Sequence, residues 1–324
     1  MICSICYLEL TLLIDTEDFK MQLDRAYQRS RKKSTQMYPV NFGHVDESLT
    51  SRGIGIVFIS DCKRKKIKFI VFTPNLVIDD NDNFDELWEP ITSNTSKIIN
   101  NLEKLIGKYF HSDYSLNDFN LTRVDYAVDV DVGSREGVAD YIKVLHNIRR
   151  VKCFSPMKYG ENEGETKDQC FGLVGNSSGV EFRVHAIKHK KRALRIEVRL
   201  TSKGIIRDYS GEYGTAEQIK VLADRSKDVV MDTFRYIIPP GDFYKKSKVE
   251  KLIYENISDR NMRFKMTRLL ALIKEQKSLL LGQKAIDYRK IKDIMSAFAE
   301  IDVSPVTISK RHDVKKLDSL YSFL

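Results

Sequence analysis

The sequence is poor in cysteine and has no long apolar run. Its five cysteines are an odd and scattered set, which argues against a disulfide framework. Cys3 and Cys6 form a CxxC pair, but no second pair follows at zinc-ligand spacing, so packing in a strand is their simpler role. No 18 consecutive residues are apolar, and the start lacks a charged segment and a small-residue cleavage site. These absences predict a cytoplasmic protein without a membrane partner.

Nucleotide fingerprints are missing as well. The chain contains no glycine loop of the kind that cradles phosphate groups. This absence argues against a soluble enzyme acting on a small acidic substrate. Internal repeats and low-complexity tracts are also lacking.

The composition indicates a folded protein with a basic surface. Hydrophobic residues make up 42% and aromatic residues 10%, which excludes wholesale disorder. Lys and Arg number 54 against 45 Asp and Glu, a net charge of +9. Such an excess favours polyanionic partners, although many basic proteins bind no nucleic acid.

Residue periodicity divides the chain into a sheet-rich part and a helical part. Alternation predicts strands over residues 5–14, 53–60, 66–72, 121–132, 180–187 and 193–200, and the second and third form a hairpin. Helical spacing predicts helices over 15–33, 93–110, 134–150, 215–236, 245–257, 260–277 and 286–301. The expected fold is α+β: residues 1–205 form an antiparallel sheet with helices packed on one face, and residues 206–324 form a helical C-terminal domain.

The last predicted helix gives the C-terminal region a helix-turn-helix character. Residues 304–311 (SPVTISKR) read as a capped helix with Pro305 at its first position. It would follow the helix over 286–301, as in the DNA-binding motif. Packing of a helical bundle explains the same pattern.

Strand alternation places several charges on one face of the strand LTRVDYAVDVDV. Its apolar face carries valines and Tyr126, and the opposite face carries Arg123, Asp125, Asp129 and Asp131. Strands are depleted in Asp, so three carboxylates on one face are unusual. Either a solvated face or a bound cation would account for them.

Two further strands repeat this polar face. ALRIEVRL carries Glu197 between two arginines, and VEFRVHAI carries His185. If the three strands are adjacent, Asp125, Glu197 and His185 converge, and two carboxylates with an imidazole suit Mg²⁺ or Mn²⁺. Cross-strand pairs of arginine with Asp and Glu are the alternative explanation.

The order of these motifs is similar to that of a known family. LTRVDYAVDVD, VGNSSGVEFRVHAIK and ALRIEVRL resemble the three ordered motifs of the rolling-circle replication initiators of plasmids and filamentous phages. The resemblance covers about residues 121–201. It implies a metal-dependent relaxase that nicks and rejoins one strand of a single-stranded or supercoiled origin, with Asp125 and Glu197 as metal-site residues. A host helicase is a further partner of such a protein.

This chain departs from the family at the nucleophile. His185 stands where the family typically has tyrosine, and no tyrosine occurs between Tyr159 and Tyr209. Covalent strand cleavage needs a hydroxyl nucleophile. The candidates are Tyr209 and Tyr213, on one face of a helical turn or in a glycine-bounded loop, with Tyr244 as the next one to test.

Basic runs supply candidate phosphate contacts. They contribute Lys63, Arg64 and Lys65 at the hairpin tip, and Lys188, Lys190, Lys191 and Arg192 after the strand that carries His185. Phosphate contacts dominate the affinity of nucleic-acid-binding proteins, although single basic runs are more often solvated faces.

Two functions fit these features. The first is a replication initiator that makes a metal-dependent nick with a tyrosine nucleophile. The second is a non-catalytic, origin-binding protein derived from such an initiator, which the histidine at position 185 favours. The oligomeric state does not follow from the sequence.

Overall fold

The protein is an α+β protein in which an antiparallel sheet is followed by C-terminal helices. The computed structural model describes residues 2–33, 36–40, 43–61, 64–78, 87–158, 166, 169–286 and 291–324. The strands are β1 Cys3–Ile14, β2 Met37–Val40, β3 Gly43–Asp46, β4 Ile54–Ser60, β5 Lys65–Val71, β6 Asn120–Asp131, β7 Phe154–Pro156, β8 Cys170–Gly175, β9 Val180–Ala186, β10 Ala193–Leu200, β11 Phe243–Tyr244 and β12 Lys316–Leu317.

The helices are concentrated toward the end of the chain. They are α1 Thr16–Lys33, α2 Pro74–Ile78, α3 Thr92–Tyr109, α4 Arg135–Leu145, α5 Lys203–Ser210, α6 Thr215–Asp224, α7 Ser226–Ile237, α8 Lys246–Asn256, α9 Arg260–Gln276, α10 Leu279–Ile286 and α11 Ile291–Glu300. None of the helices within the described ranges is long and apolar enough to cross a membrane.

The strand order of the main sheet is β2-β3-β4-β5-β1-β6-β10-β9-β8-β7, and β11 pairs with β12 separately. The chain divides into two compact units, each made of two segments. The first unit comprises Ile2–Val128 and Val198–Val230, and the second comprises Asp129–Glu197 and Met231–Leu324. The single domain boundary after residue 205 stays a prediction from the sequence.

In the first unit, β1 is the central strand. It pairs antiparallel with β5 on one side and with β6 on the other, so that Leu8 faces both Val71 and Val124. The predicted hairpin is confirmed, because β4 and β5 pair from Ile54 with Val71 to Ser60 with Lys65. The short strands β2 and β3 were not predicted.

Helix α1 begins as its sequence indicates. The Asp15 carboxylate accepts hydrogen bonds from the backbone N–H groups of Glu17 and Asp18, both at 2.9 Å. A side-chain acceptor here satisfies donors that have no partner within the helix. The core of the first unit includes Phe58 and Phe69, both fully buried.

In the second unit, β8 and β9 pair antiparallel, with Phe171 facing Val184. Helix α4 begins at the Ser134 cap, whose hydroxyl accepts the N–H of Gly137 at 2.9 Å. The prediction extended this helix to Arg150, but it ends at Leu145. Arg149 has a φ of +52°, which a continuing helix does not allow.

The helical C-terminal region is confirmed, with changes in its segmentation. The single helix predicted over 215–236 is two helices, because the backbone at Arg225 leaves the helical region. Helices α8 and α9 match their predictions closely. The helix predicted over 286–301 is present from Ile291, residues 287–290 lie outside the described ranges, and α10 was not predicted.

The prediction of a helix over residues 304–311 is wrong. The Ser304 hydroxyl does accept a backbone N–H, but from Val306 at 3.2 Å, within a turn. The Ile308 N–H then donates to the Tyr244 carbonyl at 2.9 Å. Bonding with a distant segment replaces the local helical bonds, so the second helix of a helix-turn-helix does not form.

Candidate active site

The polar face of β6 in the first unit centres on Asp125, which is buried. The Arg123 guanidinium donates to both carboxylate oxygens, from Nε to Oδ1 at 2.7 Å and from Nη2 to Oδ2 at 2.6 Å. Arg199 Nε lies 3.3 Å from Oδ2. Two guanidinium groups therefore surround this carboxylate, and only the Arg199 contact is of the cross-strand kind that the alternative explanation expects.

The neighbouring strand β1 extends this charged cluster. Tyr7 faces Asp125 across the strand pair, and the Arg123 guanidinium carbon lies 4.4 Å from the Tyr7 ring centroid. Burial raises the pKa of Tyr7 to about 12. Glu9 faces Arg123, and its Oε1 lies 2.9 Å from Lys68 Nζ. No role was predicted for Tyr7, although Tyr7 and Glu9 are two residues apart on β1 and strand alternation puts both on one face.

In the second unit, His185 and Glu197 lie in direct contact. His185 Nε2 and Glu197 Oε1 are 3.0 Å apart, and the side chains are 19% and 11% exposed. Two ligands bound at right angles, each about 2.1 Å from a divalent ion, would lie about 3.0 Å apart. The pair therefore fits two neighbouring ligand positions.

Asp129 and Asp131 have cationic partners within the second unit. Asp129 Oδ1 accepts from Arg195 Nε at 2.7 Å, and its Oδ2 lies 3.0 Å from Lys190 Nζ. Asp131 lies 3.3 Å from Arg192. The strand carboxylates thus neutralise two residues of the predicted DNA-binding run.

The remaining cations of that run are more available. Lys188 and Lys191 are exposed, and neither forms a salt bridge with the residues that the structure describes.

At the hairpin tip, Arg64 lies close enough to Lys203 to affect its pKa, and Lys65 Nζ lies 5.9 Å from the Phe19 ring centroid. Lys63 lies outside the described residues.

The predicted metal site stays a prediction. Across the described residues, no group of three or more His, Cys, Asp or Glu side chains is arranged to hold a metal ion. His185 and Glu197 provide two of the three proposed ligands. The carboxylate of Asp125 is occupied by arginine side chains.

The two candidate tyrosines have different surroundings. Tyr209 lies in α5 and is half-buried, and its carbonyl accepts from Arg225 Nη1 at 2.6 Å. Tyr213 lies in the loop between α5 and α6 and is 60% exposed. The sequence left a helical turn and a loop open for this pair. Tyr209 lies in a helix and Tyr213 lies in a loop.

Neighbouring residues fix the loop that carries Tyr213. Gly211 has a φ of +81°, and a Cβ atom at this position would lie 2.8 Å from Tyr213 Cε2. Gln218 Nε2 donates to the Gly211 carbonyl at 3.1 Å. Asn117 Oδ1 accepts the N–H of Ala216 at 3.2 Å and so caps α6. The tyrosine ring therefore packs against a glycine that no larger residue could replace without strain.

A cavity of about 350 Å³ lies beside this loop in the first unit. Tyr213, Lys203 and Arg207 line it together with amide side chains. Partial burial and the charges of Arg207 and Arg64 lower the pKa of Lys203. Lys203 and Arg207 were not predicted as site residues. Their i,i+4 spacing in α5 puts both on one helix face.

Tyr244, the third candidate nucleophile, is half-buried. Its hydroxyl donates to Asp242 Oδ2 at 3.1 Å, and Lys316 Nζ lies 2.8 Å from the same oxygen. Burial and the Asp242 carboxylate raise the pKa of Tyr244. A phenol held in this way is a poor nucleophile.

The chain matches no family model and no curated protein sequence.

Proposed function

We propose that this protein is a DNA replication initiator of the rolling-circle type, which cuts one DNA strand with Tyr213 as its nucleophile. The observation that carries the proposal is the position of Tyr213: an exposed phenol in a structured loop, lining a cavity with Lys203 and Arg207. A phosphodiester needs cations beside the attacking hydroxyl, because negative charge develops on its oxygens.

The chemistry follows from these groups. The Tyr213 oxygen attacks phosphorus and releases its proton to solvent, and the bond from phosphorus to the 3′ oxygen breaks. The enzyme then holds the 5′ phosphate as a phosphotyrosine. Lys203 and Arg207 stabilise the phosphate charge. Lys203, with its lowered pKa, can also donate a proton to the departing 3′ oxygen.

The proposal includes a divalent-metal site within the second unit. His185 and Glu197 are the residues that would hold Mg²⁺ or Mn²⁺. A bound divalent ion would polarise a phosphodiester. The imidazole and the carboxylate keep each other oriented through their 3.0 Å contact.

The experiment follows the covalent adduct. The full chain is incubated with Mn²⁺ and a random-sequence pool of single-stranded oligonucleotides labelled at the 3′ end, because that end stays with the 5′ phosphate. We expect a labelled protein band with the parent and with Tyr254→Phe, whose tyrosine is 74% exposed, and no band with Tyr213→Phe. An undiminished band from Tyr213→Phe overturns the assignment.

A non-catalytic DNA-binding protein is the second candidate. The observation that favours it is Asp125, whose carboxylate contacts Arg123 and Arg199 where a metal ligand was predicted. The same assay separates the two functions. Oligonucleotide binding by the parent without any adduct or nick, in Mn²⁺ or Mg²⁺, would favour the non-catalytic protein.

A further inference from the structure

The first unit contains a second cavity, of about 650 Å³, which the proposed cleavage chemistry does not use. Its charged lining residues are Arg29 of α1, Arg52, and Lys104 and Lys108 of α3. Leu76, Val77 and Leu105 give it an apolar wall. This volume is within the usual range for small-molecule sites, and the mixed lining suits a ligand that is anionic at one end and apolar at the other.

Arg29 is held rigidly at this cavity. Its guanidinium carbon lies 3.9 Å from the centroid of the Tyr109 ring, and Nη1 donates to the Tyr109 carbonyl at 3.1 Å. Its Nε and Nη2 are buried and have no hydrogen-bond acceptor among the described residues. Buried polar groups in native proteins almost always have hydrogen-bond partners, so these donors indicate a place for an acceptor.

Ser48 and Asp46 complete the polar part of the cavity region. The Ser48 hydroxyl is also buried without a hydrogen-bond partner among the described residues. Asp46 is fully buried and accepts the Tyr109 hydroxyl at 2.5 Å and the Ser48 N–H at 2.8 Å. Its Oδ2 lies 4.0 Å from Arg29 Nη2. Among the described residues, the Asp46 carboxylate therefore balances the charge of Arg29 but not of the other three cations that line the cavity.

The other three cations are exposed and available to a ligand. Arg52, Lys104 and Lys108 form no salt bridge with any residue that the structure describes. Lys104 and Lys108 are four residues apart on α3, so they share a helix face. Three exposed cations, an arginine with two buried donors that lack an acceptor among the described residues, and a buried hydroxyl are groups that recognise phosphate oxygens.

We infer that this cavity binds a nucleotide through its phosphate groups, with the base or sugar against the apolar wall. The shared chemistry is a phosphate attached to a nucleoside, either as a free nucleotide or at the 5′ end of a DNA strand. The inference does not depend on Tyr213 or on strand cleavage.

Titration calorimetry on the full chain tests the inference. The probes are ATP, adenosine, inorganic phosphate, and one single-stranded oligonucleotide with and without a 5′ phosphate. We expect ATP or the phosphorylated oligonucleotide to bind more tightly than its counterpart without phosphate. The tighter of the two phosphorylated probes identifies the source, and competition between them shows that they share one site.

Variants that reverse or remove the charge of lining residues test whether the ligand binds in this cavity. Lys104→Glu and Arg52→Gln change exposed residues and leave Arg29 in place, and each is expected to weaken binding roughly 10-fold or more. Lys20→Glu on α1 is the matched control, since Lys20 is exposed and outside the cavity. Equal affinity in the parent, Lys104→Glu and Arg52→Gln overturns the inference, as does a parent that binds none of the phosphorylated probes.

Discussion

Asp125 in the first unit and Glu197 in the second were both predicted as metal ligands, but their partners differ. Asp125 contacts two guanidinium groups, which carry hydrogen-bond donors only. Glu197 contacts an imidazole, which can lose its proton and bind a metal. A carboxylate held by arginines stabilises the fold, whereas one beside a histidine can also take part in chemistry. Two carboxylates at the same kind of strand position thus have different partners.

The largest expected effect of this difference is on activity. Glu197→Gln keeps the side-chain shape and removes the charge, so DNA nicking should fall by on the order of 10²–10³. Mn²⁺ binding, followed by electron paramagnetic resonance, should weaken in parallel. Asp131→Asn is the control, because Asp131 is 61% exposed and pairs with Arg192. Unchanged nicking and Mn²⁺ binding in Glu197→Gln would remove the proposed distinction.

The free energy of unfolding should depend more on the buried Asp125 than on an exposed carboxylate. Asp125→Ala leaves Arg123 and Arg199 without their shared carboxylate, and losing one partner of a buried ion pair costs about 3 kcal/mol. Asp131→Ala breaks an exposed pair and should cost less than about 1 kcal/mol. Urea unfolding of both variants measures the difference. Similar urea midpoints for Asp125→Ala and the parent would show that the arginines do not need this carboxylate.

Alkaline pH should weaken the cluster around Asp125. Burial raises the folded-state pKa of Tyr7 from its ordinary value of 10.0 to about 12. The unfolded chain then loses this proton first, so stability is full below about pH 9 and falls as the pH rises toward 12. Tyr7→Phe removes the titrating group and should flatten the fall in melting temperature between about pH 10 and 12. Parallel curves for the two proteins would place the alkaline sensitivity elsewhere.

The smallest expected effect concerns the basic run after β9. Lys190 and Arg192 contact carboxylates, whereas Lys188 and Lys191 are exposed without a salt bridge to the described residues. Replacing Lys188 and Lys191 with Ala should therefore lower the log–log salt slope of DNA binding by about 1–2. Replacing Lys190 and Arg192 should lower it less. Equal slopes for the two double variants would show that the carboxylates do not restrict these cations.

Strand alternation was sufficient to predict the faces of β6 but not the partners of its charges. The apolar face of β6 is buried as expected, and Asp125 lies among charged residues on the other face. Arg199 is far from Asp125 in the sequence, and its contact depends on how the strands pair. Periodicity has no information about that pairing. The contact of Asp125 with Arg199 could therefore not be predicted, whereas alternation already puts Arg123 on the same face.

Residues 304–311 show how tertiary contacts override a local signal. Ser304 followed by Pro305 is a good start for a helix, and the Ser304 hydroxyl does bond to a nearby N–H group. The chain instead bonds to the segment around Tyr244, from which it is separated by the four helices α8 to α11. Lys203 and Arg207 were missed for a related reason, because their relation to Tyr213 depends on the turn at Gly211.

The most direct measurement is to identify the residue that carries DNA after cleavage. Tandem mass spectrometry of the digested adduct should find the nucleotide on the tryptic peptide 208–220, with fragment ions that assign it to Tyr213 rather than Tyr209. This result would support an initiator that uses the loop beside Lys203 and Arg207. A nucleotide on Tyr209, on Tyr244 or on any other residue would contradict the claim.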